Sequence, residues 1–312
     1  MFMGRILTTI MVATLFTPLP AHAAAPTTGT TNPTPVPAGR RVDSARHPAI
    51  QAGVTELTKE IESALRGGEE PSRAHPDYFY GATDIPPAAV ITALRRPLAN
   101  DPRVSAYVKW QLLSALPKEL DEKTSAELLQ IYRSAPGPLP RLGMEKQSRD
   151  DLDRMIRNAK EDDAERLVEQ FEQMDERVVR DNTFILKYRD GLFAKLPTGF
   201  DAIAAGLEDA AVRLNVGADV AEHTRAVCKA VEGWAPNAPP EQLKAVFKAL
   251  AQLERKKGQE YYSRVYWSAS GKMQWTKTQA TLGRVSQLEE VQEFLEDQIK
   301  NPTAPLKMKG ER

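Results

Sequence analysis

Side chains able to ligate metals or form covalent intermediates are few in this chain: one cysteine, Cys228, and four histidines, His22, His47, His75 and His223. Closed zinc sites gather thiolates and imidazoles at short spacings, and no histidine here has a partner histidine three to five residues away. His223 and Cys228 are five apart, which turns them to different faces of a helix. No metal site and no cofactor is expected. Cys228 lies between Val227 and Val231 in an apolar helical pattern and reads as a buried, inert thiol. His47, just before Pro48 at a helix start, reads as a solvent-exposed boundary residue.

Nucleophilic and phosphate-binding chemistry lack their usual patterns. Gly-x-Ser-x-Gly, Ser-x-x-Lys and Gly-x-Gly-x-x-Gly are all absent, and Ser270-Gly271-Lys272 reads as a turn. Paired carboxylates that cleave glycosidic bonds tolerate many sequence contexts, but 42 acidic residues make candidate pairs ubiquitous. No catalytic residue is assigned.

Two aromatic groups stand above this background. Tyr78, Phe79 and Tyr80 follow His75-Pro76-Asp77, and Tyr261, Tyr262, Tyr266, Trp267 and Trp275 gather further along. Flat rings supply contact area at small rotamer cost, which suits protein surfaces and sugar rings, though aromatics beside a helical core also complete that core. The candidate binding surface is Tyr78, Phe79, Tyr80, Tyr262, Tyr266, Trp267 and Trp275.

The elements that must position these groups are helical. Apolar residues recur at three and four positions from Ile50 to Leu65, ending at Gly67-Gly68. Pro86-Pro87, Asp101-Pro102 and Asp121 open three further helices, and Pro136-Gly137-Pro138-Leu139-Pro140 breaks the chain. Ser148 is expected to cap a long charged helix. Its stripe is Leu152, Met155, Ile156, Ala159, Leu167, Phe171, Met174 and Val178, with Glu176 and Arg180 among the opposite charges four apart on its outer face. Asp163 falls on that stripe, which predicts a kink or break nearby.

Helices then follow from Thr198, Asp219, Pro239-Pro240 and Val285. Between the last two, Tyr261 to Trp275 alternates around Ser270-Gly271, as a small β-hairpin would, although the same residues can extend the preceding helix. The expected fold is all-α: irregular stacked helical hairpins, helical-repeat-like or bundle, with one long charged helix.

Arg5, the apolar run Ile6 to Phe16 and Ala21-His22-Ala23 have the layout of a secretory signal over residues 1–23, too short an apolar run for a bilayer span. Residues 24–44 are rich in proline and threonine and poor in large apolar side chains, the composition of a disordered tether. The helical domain spans 45–300, with a subdivision near 135–147 allowed by the proline run, and 301–312 forms a flexible tail. With 42 basic and 42 acidic side chains, the chain lacks the global charge for non-specific nucleic-acid binding. A single cysteine forbids an intramolecular disulfide, so packing must supply stability.

These readings converge on an exported, periplasmic or extracellular, non-catalytic protein that binds another macromolecule. Its partner is a protein, or else a glycan, and neither nucleic acid nor a transmembrane segment after leader removal is expected. Two alternatives remain: a helical envelope enzyme acting on glycan through paired carboxylates, with Tyr78, Tyr80 and Trp267 as sugar platforms, and a purely structural oligomer. A deep pocket with a raised carboxylate pKa would favour the enzyme.

Overall fold

Pro48 opens the first helix without losing a needed hydrogen bond, and the chain coils from there as the apolar spacing demands. The computed structural model describes residues 47–67, 79, 84–141, 154–156, 158–256, 258, 260–267, 273–279, 282 and 286–301. Residues 1–44, expected to be leader and tether, Tyr78, Tyr80, Ser148, Leu152 and residues 302–312 lie outside them. Helix α1 (Pro48–Gly67) buries Ile50, Leu57 and Ile61. His47 is half-buried rather than solvent-exposed: its Nδ1 is buried at the start of α1, where its carbonyl accepts from the Gln51 N–H at 3.0 Å.

Three shorter helices follow: α2 (Pro87–Leu94), α3 (Pro102–Leu112, with a 3-10 turn Leu113–Ala115) and α4 (Glu122–Ser134). The expected caps form as side-chain bonds. Asp101 accepts from the Arg103 N–H at 2.8 Å, and Asp121 accepts from the Thr124 N–H at 2.8 Å, each satisfying a donor that a helix start leaves orphaned.

The long helix, α5, runs Glu161–Lys195, 35 residues and about 52 Å. It begins later than Ser148, after a helical turn at Arg154–Ile156 and an interruption at Ala159-Lys160. This is the break that Asp163 on the stripe predicts. The helix also continues past Val178, where Phe184, Ile185, Tyr188, Leu192 and Phe193 are buried. Helices α3 and α4 pack on this second half.

Helix α6 (Phe200–Val216) ends at Gly217, whose φ of 69° is the left-handed geometry that glycine supplies, and the Ala218 N–H returns to the Arg213 carbonyl at 3.0 Å. Then come α7 (Ala221–Trp234, with a 3-10 turn Ala235–Asn237), α8 (Pro240–Arg255) and, at the end, α9 (Ser286–Lys300). Packing joins α6 to α7 and α8, and α9 to α7 and α8. One buried apolar cluster runs from Ile50 to Leu295. The fold is all-α stacked helices carrying one small ribbon.

That ribbon settles the ambiguity at Tyr261 in favour of a hairpin. Strands β1 (Glu260–Trp267) and β2 (Met273–Gln279) pair antiparallel, with an irregularity between Tyr262 and Arg264. Helix α8 has already stopped at Arg255, so the aromatic, alternating run does not extend it. Among the described residues no helix is long and apolar enough to cross a membrane.

Candidate functional site

The residues selected from sequence are placed unevenly. Phe79, taken as part of a contact surface, is 1% exposed, its ring packed so closely over Gly53 that a Cβ there would lie 2.6 Å from it. It is a core ring, because the missing side chain at Gly53 leaves α1 a notch that the phenyl group fills. Tyr78 and Tyr80 lie outside the described residues. On the hairpin, Tyr262 pairs with Lys277, Tyr266 with Gln274, Trp267 with Met273 and Trp275 with Val265. Cys228 is fully buried and its thiol is pushed up to about 12 by burial, as an inert core cysteine should be.

A different constellation dominates the polar interior. Where α4, α5, α6 and α7 meet, Tyr132, Arg189, Asp190, Asp209, Arg213 and His223 form one connected network. Asp209 on α6, wholly buried, accepts from Arg189 Nε at 2.8 Å, from Arg213 Nε at 3.1 Å and Nη2 at 2.9 Å, and from the Tyr132 hydroxyl at 3.0 Å. Arg213 also donates to Asp190 at 2.6 and 3.3 Å. The Arg189 guanidinium stacks 5.0 Å from the Tyr132 ring centre and donates to the Ala135 carbonyl at 2.7 Å. Two guanidinium groups thus meet two carboxylates, Asp209 wholly buried and Asp190 partly open to solvent.

His223 completes the network from α7. Its Nδ1 lies 3.0 Å from Asp190 Oδ1, its Nε2 lies 3.0 Å from the Gly206 carbonyl, and Phe193 meets its ring edge-on at 5.2 Å. Both ring nitrogens are therefore engaged, and Nε2 points into the core. At Gly206 the neighbouring side chains also close in, since a Cβ there would lie 2.7 Å from Phe193 and 2.8 Å from Val227.

Above the network lies a cleft of about 700 Å3, within the range of ligand-binding clefts. One wall is a single face of α5, bearing Val179, Thr183, Leu186 and Asp190. The facing wall carries Arg213, Gly217, Asp219, Glu222 and His223. Burial drives the Asp190 carboxyl up, but hydrogen bonds from His223 and Arg213 outweigh it, and the net direction is down. Burial, then the Asp209 charge, pushes the Tyr132 hydroxyl up, so it stays a donor.

The cleft, which Arg141 and Val179 also line, adjoins a strap. Residues Pro136–Arg141 form it, between α5 and α6. The Leu139 N–H donates to the Asn182 side chain at 2.6 Å and its carbonyl accepts from it at 2.8 Å; Arg141 pairs with Asp175, and the Arg141 N–H donates to the Val216 carbonyl at 3.1 Å. Leu139 is nevertheless 44% exposed, and so are Val179 and Val212, with Met174 at 53%. Three of them lie on or near the strap: Leu139 belongs to it, Val179 sits one turn before Asn182, and a Cβ on Gly137 would meet Val212 at 3.8 Å.

None of Asp190, Asp209, Arg213 or Arg189 was singled out from sequence. The available signals were the Asp209–Arg213 pair four apart and the adjacent Arg189-Asp190, and both resemble the solvated pairs of α5. No family model, no curated protein and no solved structure matches the chain.

Proposed function

We propose that this is an exported, non-catalytic helical protein that binds another protein through the face made by the Pro136–Arg141 strap, α5 and α6. The observation that carries the reading is that Leu139 on the strap, and Val179 and Val212 on the two helices the strap joins, are all left exposed, Val179 also lining the open cleft. Large side chains leave water wherever packing permits, so several exposed together mark a contact surface. Export rests on the leader and tether composition.

A photo-crosslinking side chain placed at Val179 in the producing cell tests this reading. It should yield a discrete adduct with one partner protein in the exported fraction, while the same group at exposed Lys229 on α7 yields none. Equal labelling at both positions, or none at Val179, defeats the proposal. An adduct with a second copy of this chain would support the structural-oligomer reading instead.

A further inference from the structure

Basic side chains are not spread evenly along this chain. From Arg255 to Arg284 there are seven of them and one acidic side chain, Glu260, in a protein whose totals balance at 42 and 42. Arg255, Lys256 and Lys257 lead into the ribbon, Arg264 and Lys277 lie in its strands, Lys272 stands in the connection between them, and Arg284 follows. Glu254, just before this stretch, accepts from the Gln292 amide at 3.2 Å. The acids that come next belong to α9, where Glu289, Glu290 and Glu293 are exposed and Glu296 pairs with Lys300 at 2.6 Å. The basic stretch also holds two of the four tryptophans.

Strand register sorts these residues. The β2 partners run consecutively from Met273 to Gln279, so the one irregularity falls on β1. Alternation along β2 therefore places Met273, Trp275 and Lys277 on one face, and because directly opposite residues share a face, Trp267, Val265 and Tyr262 join them. The other face takes Gln274 and Thr276 with their partners Tyr266 and Arg264. The ribbon is thus amphipathic, with two indoles, a phenol, a valine and a methionine grouped beside one lysine. Tyr266, selected with the others from sequence, falls on the polar face.

A two-stranded ribbon is marginal by itself, and an apolar face on it gains from being covered. Tryptophan and tyrosine settle at the headgroup level of a bilayer, smaller apolar side chains reach the acyl boundary, and lysine and arginine are held at the surface by anionic lipid. Single-stranded nucleic acid also stacks on aromatic rings among basic groups, but Val265 and Met273 offer a base no flat surface.

We propose that the ribbon is a peripheral membrane contact, lying on an anionic bilayer with the Tyr262, Val265, Trp267, Met273 and Trp275 face at the acyl boundary and the flanking basic residues on the headgroup phosphates. Charge complementarity selects this occupant: six net positive charges between Arg255 and Arg284 meet an anionic surface. The contact uses none of the strap residues, so one chain can hold a partner protein beside a membrane.

The test uses the chain from Ala24 onward, which retains every described residue and omits the apolar leader run that would itself enter lipid. In flotation it should bind phosphatidylglycerol vesicles, and bind phosphatidylcholine vesicles about tenfold or more weakly. Lys272→Glu with Lys277→Glu should weaken the first binding about tenfold or more, with an unchanged unfolding midpoint. Brominated phosphatidylglycerol, which quenches indoles at acyl depth, should quench the bound chain. In Trp267→Phe with Trp275→Phe, which keeps the ribbon aromatic, binding should persist and the quenching should vanish. The remaining tryptophans belong to helices, Trp234 against Phe200 at 6.0 Å and Trp110 under Lys187 at 5.5 Å. No flotation with about 1 mM accessible phosphatidylglycerol, equal binding to the two lipids, or full binding by the glutamate variant overturns the proposal. Quenching that survives both phenylalanine substitutions places the contact elsewhere and overturns it too. Stronger binding to a single-stranded oligothymidylate than to the charged vesicles would assign the ribbon to nucleic acid instead.

Discussion

The two halves of α5 belong to one helix yet meet opposite fates, and their composition already differs: 8 of the 17 residues from Asp163 to Val179 are charged, against 3 of the 12 from Asn182 to Phe193. From Asn182 to Phe193 the helix is part of the interior: Phe184 meets the Tyr107 ring edge-on at 5.8 Å, Leu192 is fully buried, and Gly191 approaches α3 so closely that a Cβ would lie 2.8 Å from Trp110. From Asp163 to Val179 most charged side chains stand in water, Asp175, buried against Arg141, being an exception, and Met174 and Val179 are left exposed. The Arg103 guanidinium, bonded to Asp101 and to Asp181 at 2.9 Å, marks the transition by tying the start of α3 to mid-helix. A helix can therefore anchor itself by half its length and offer the rest, because helical hydrogen bonds need no tertiary partner once the anchored half supplies the nucleus.

Substitutions should separate sharply along this division. The largest loss is expected at the buried network. Asp209→Ala leaves Arg189 and Arg213 without their shared carboxylate and should cost about 3–5 kcal/mol in urea unfolding. A loss below about 1 kcal/mol would mean that water already reaches the site. Next, Leu192→Ala in the anchored half should cost about 2–5 kcal/mol, through lost burial and a cavity.

Gly206→Ala should cost about 1–3 kcal/mol, since the added methyl would press on Phe193 and Val227 and displace His223 from the Gly206 carbonyl. Its check is the unfolding midpoint together with the His223 ring signals, which should move only if the carbonyl contact is disturbed. At the other extreme, Met174→Ala should change stability by less than about 0.5 kcal/mol. A large loss there would refute the idea that this half of α5 is free of the core.

A pH measurement sharpens the comparison further. The folded Asp190 carboxyl sits below its unfolded value, so its stabilisation is fully present above the ordinary carboxylate pKa of about 3.9 and fades as pH falls through the lower folded value. Asp190→Asn should therefore flatten part of the acid limb of the stability curve while leaving its slope near neutral pH unchanged. Exposure of this side chain keeps the effect small, and an identical acid limb in the variant would show that other carboxylates govern it.

Legibility differed by type of feature. Caps could be read because they are local: Asp101 and Asp121 bond to donors two and three residues away. The interruption before Asp163 followed from helical periodicity, and the Tyr261–Trp275 ribbon from alternation, although alternation alone left a helix open. Phe79 was misplaced as a surface ring because its burial depends on Gly53, a residue in another element. The network was unreadable for a related reason. Asp209 and Arg213, spaced four apart, look in sequence like Glu176 and Arg180, and only the first pair faces three other helices.

What the sequence determined by itself was helix placement, capping, the absence of a disulfide and the neutral charge balance, all functions of neighbours within a few residues or of composition. Tertiary structure alone decided which charged pair lost its water, which aromatic became core, and which apolar side chains stayed outside. Those outcomes depend on desolvation, and desolvation is set by whatever distant segment arrives to exclude the solvent.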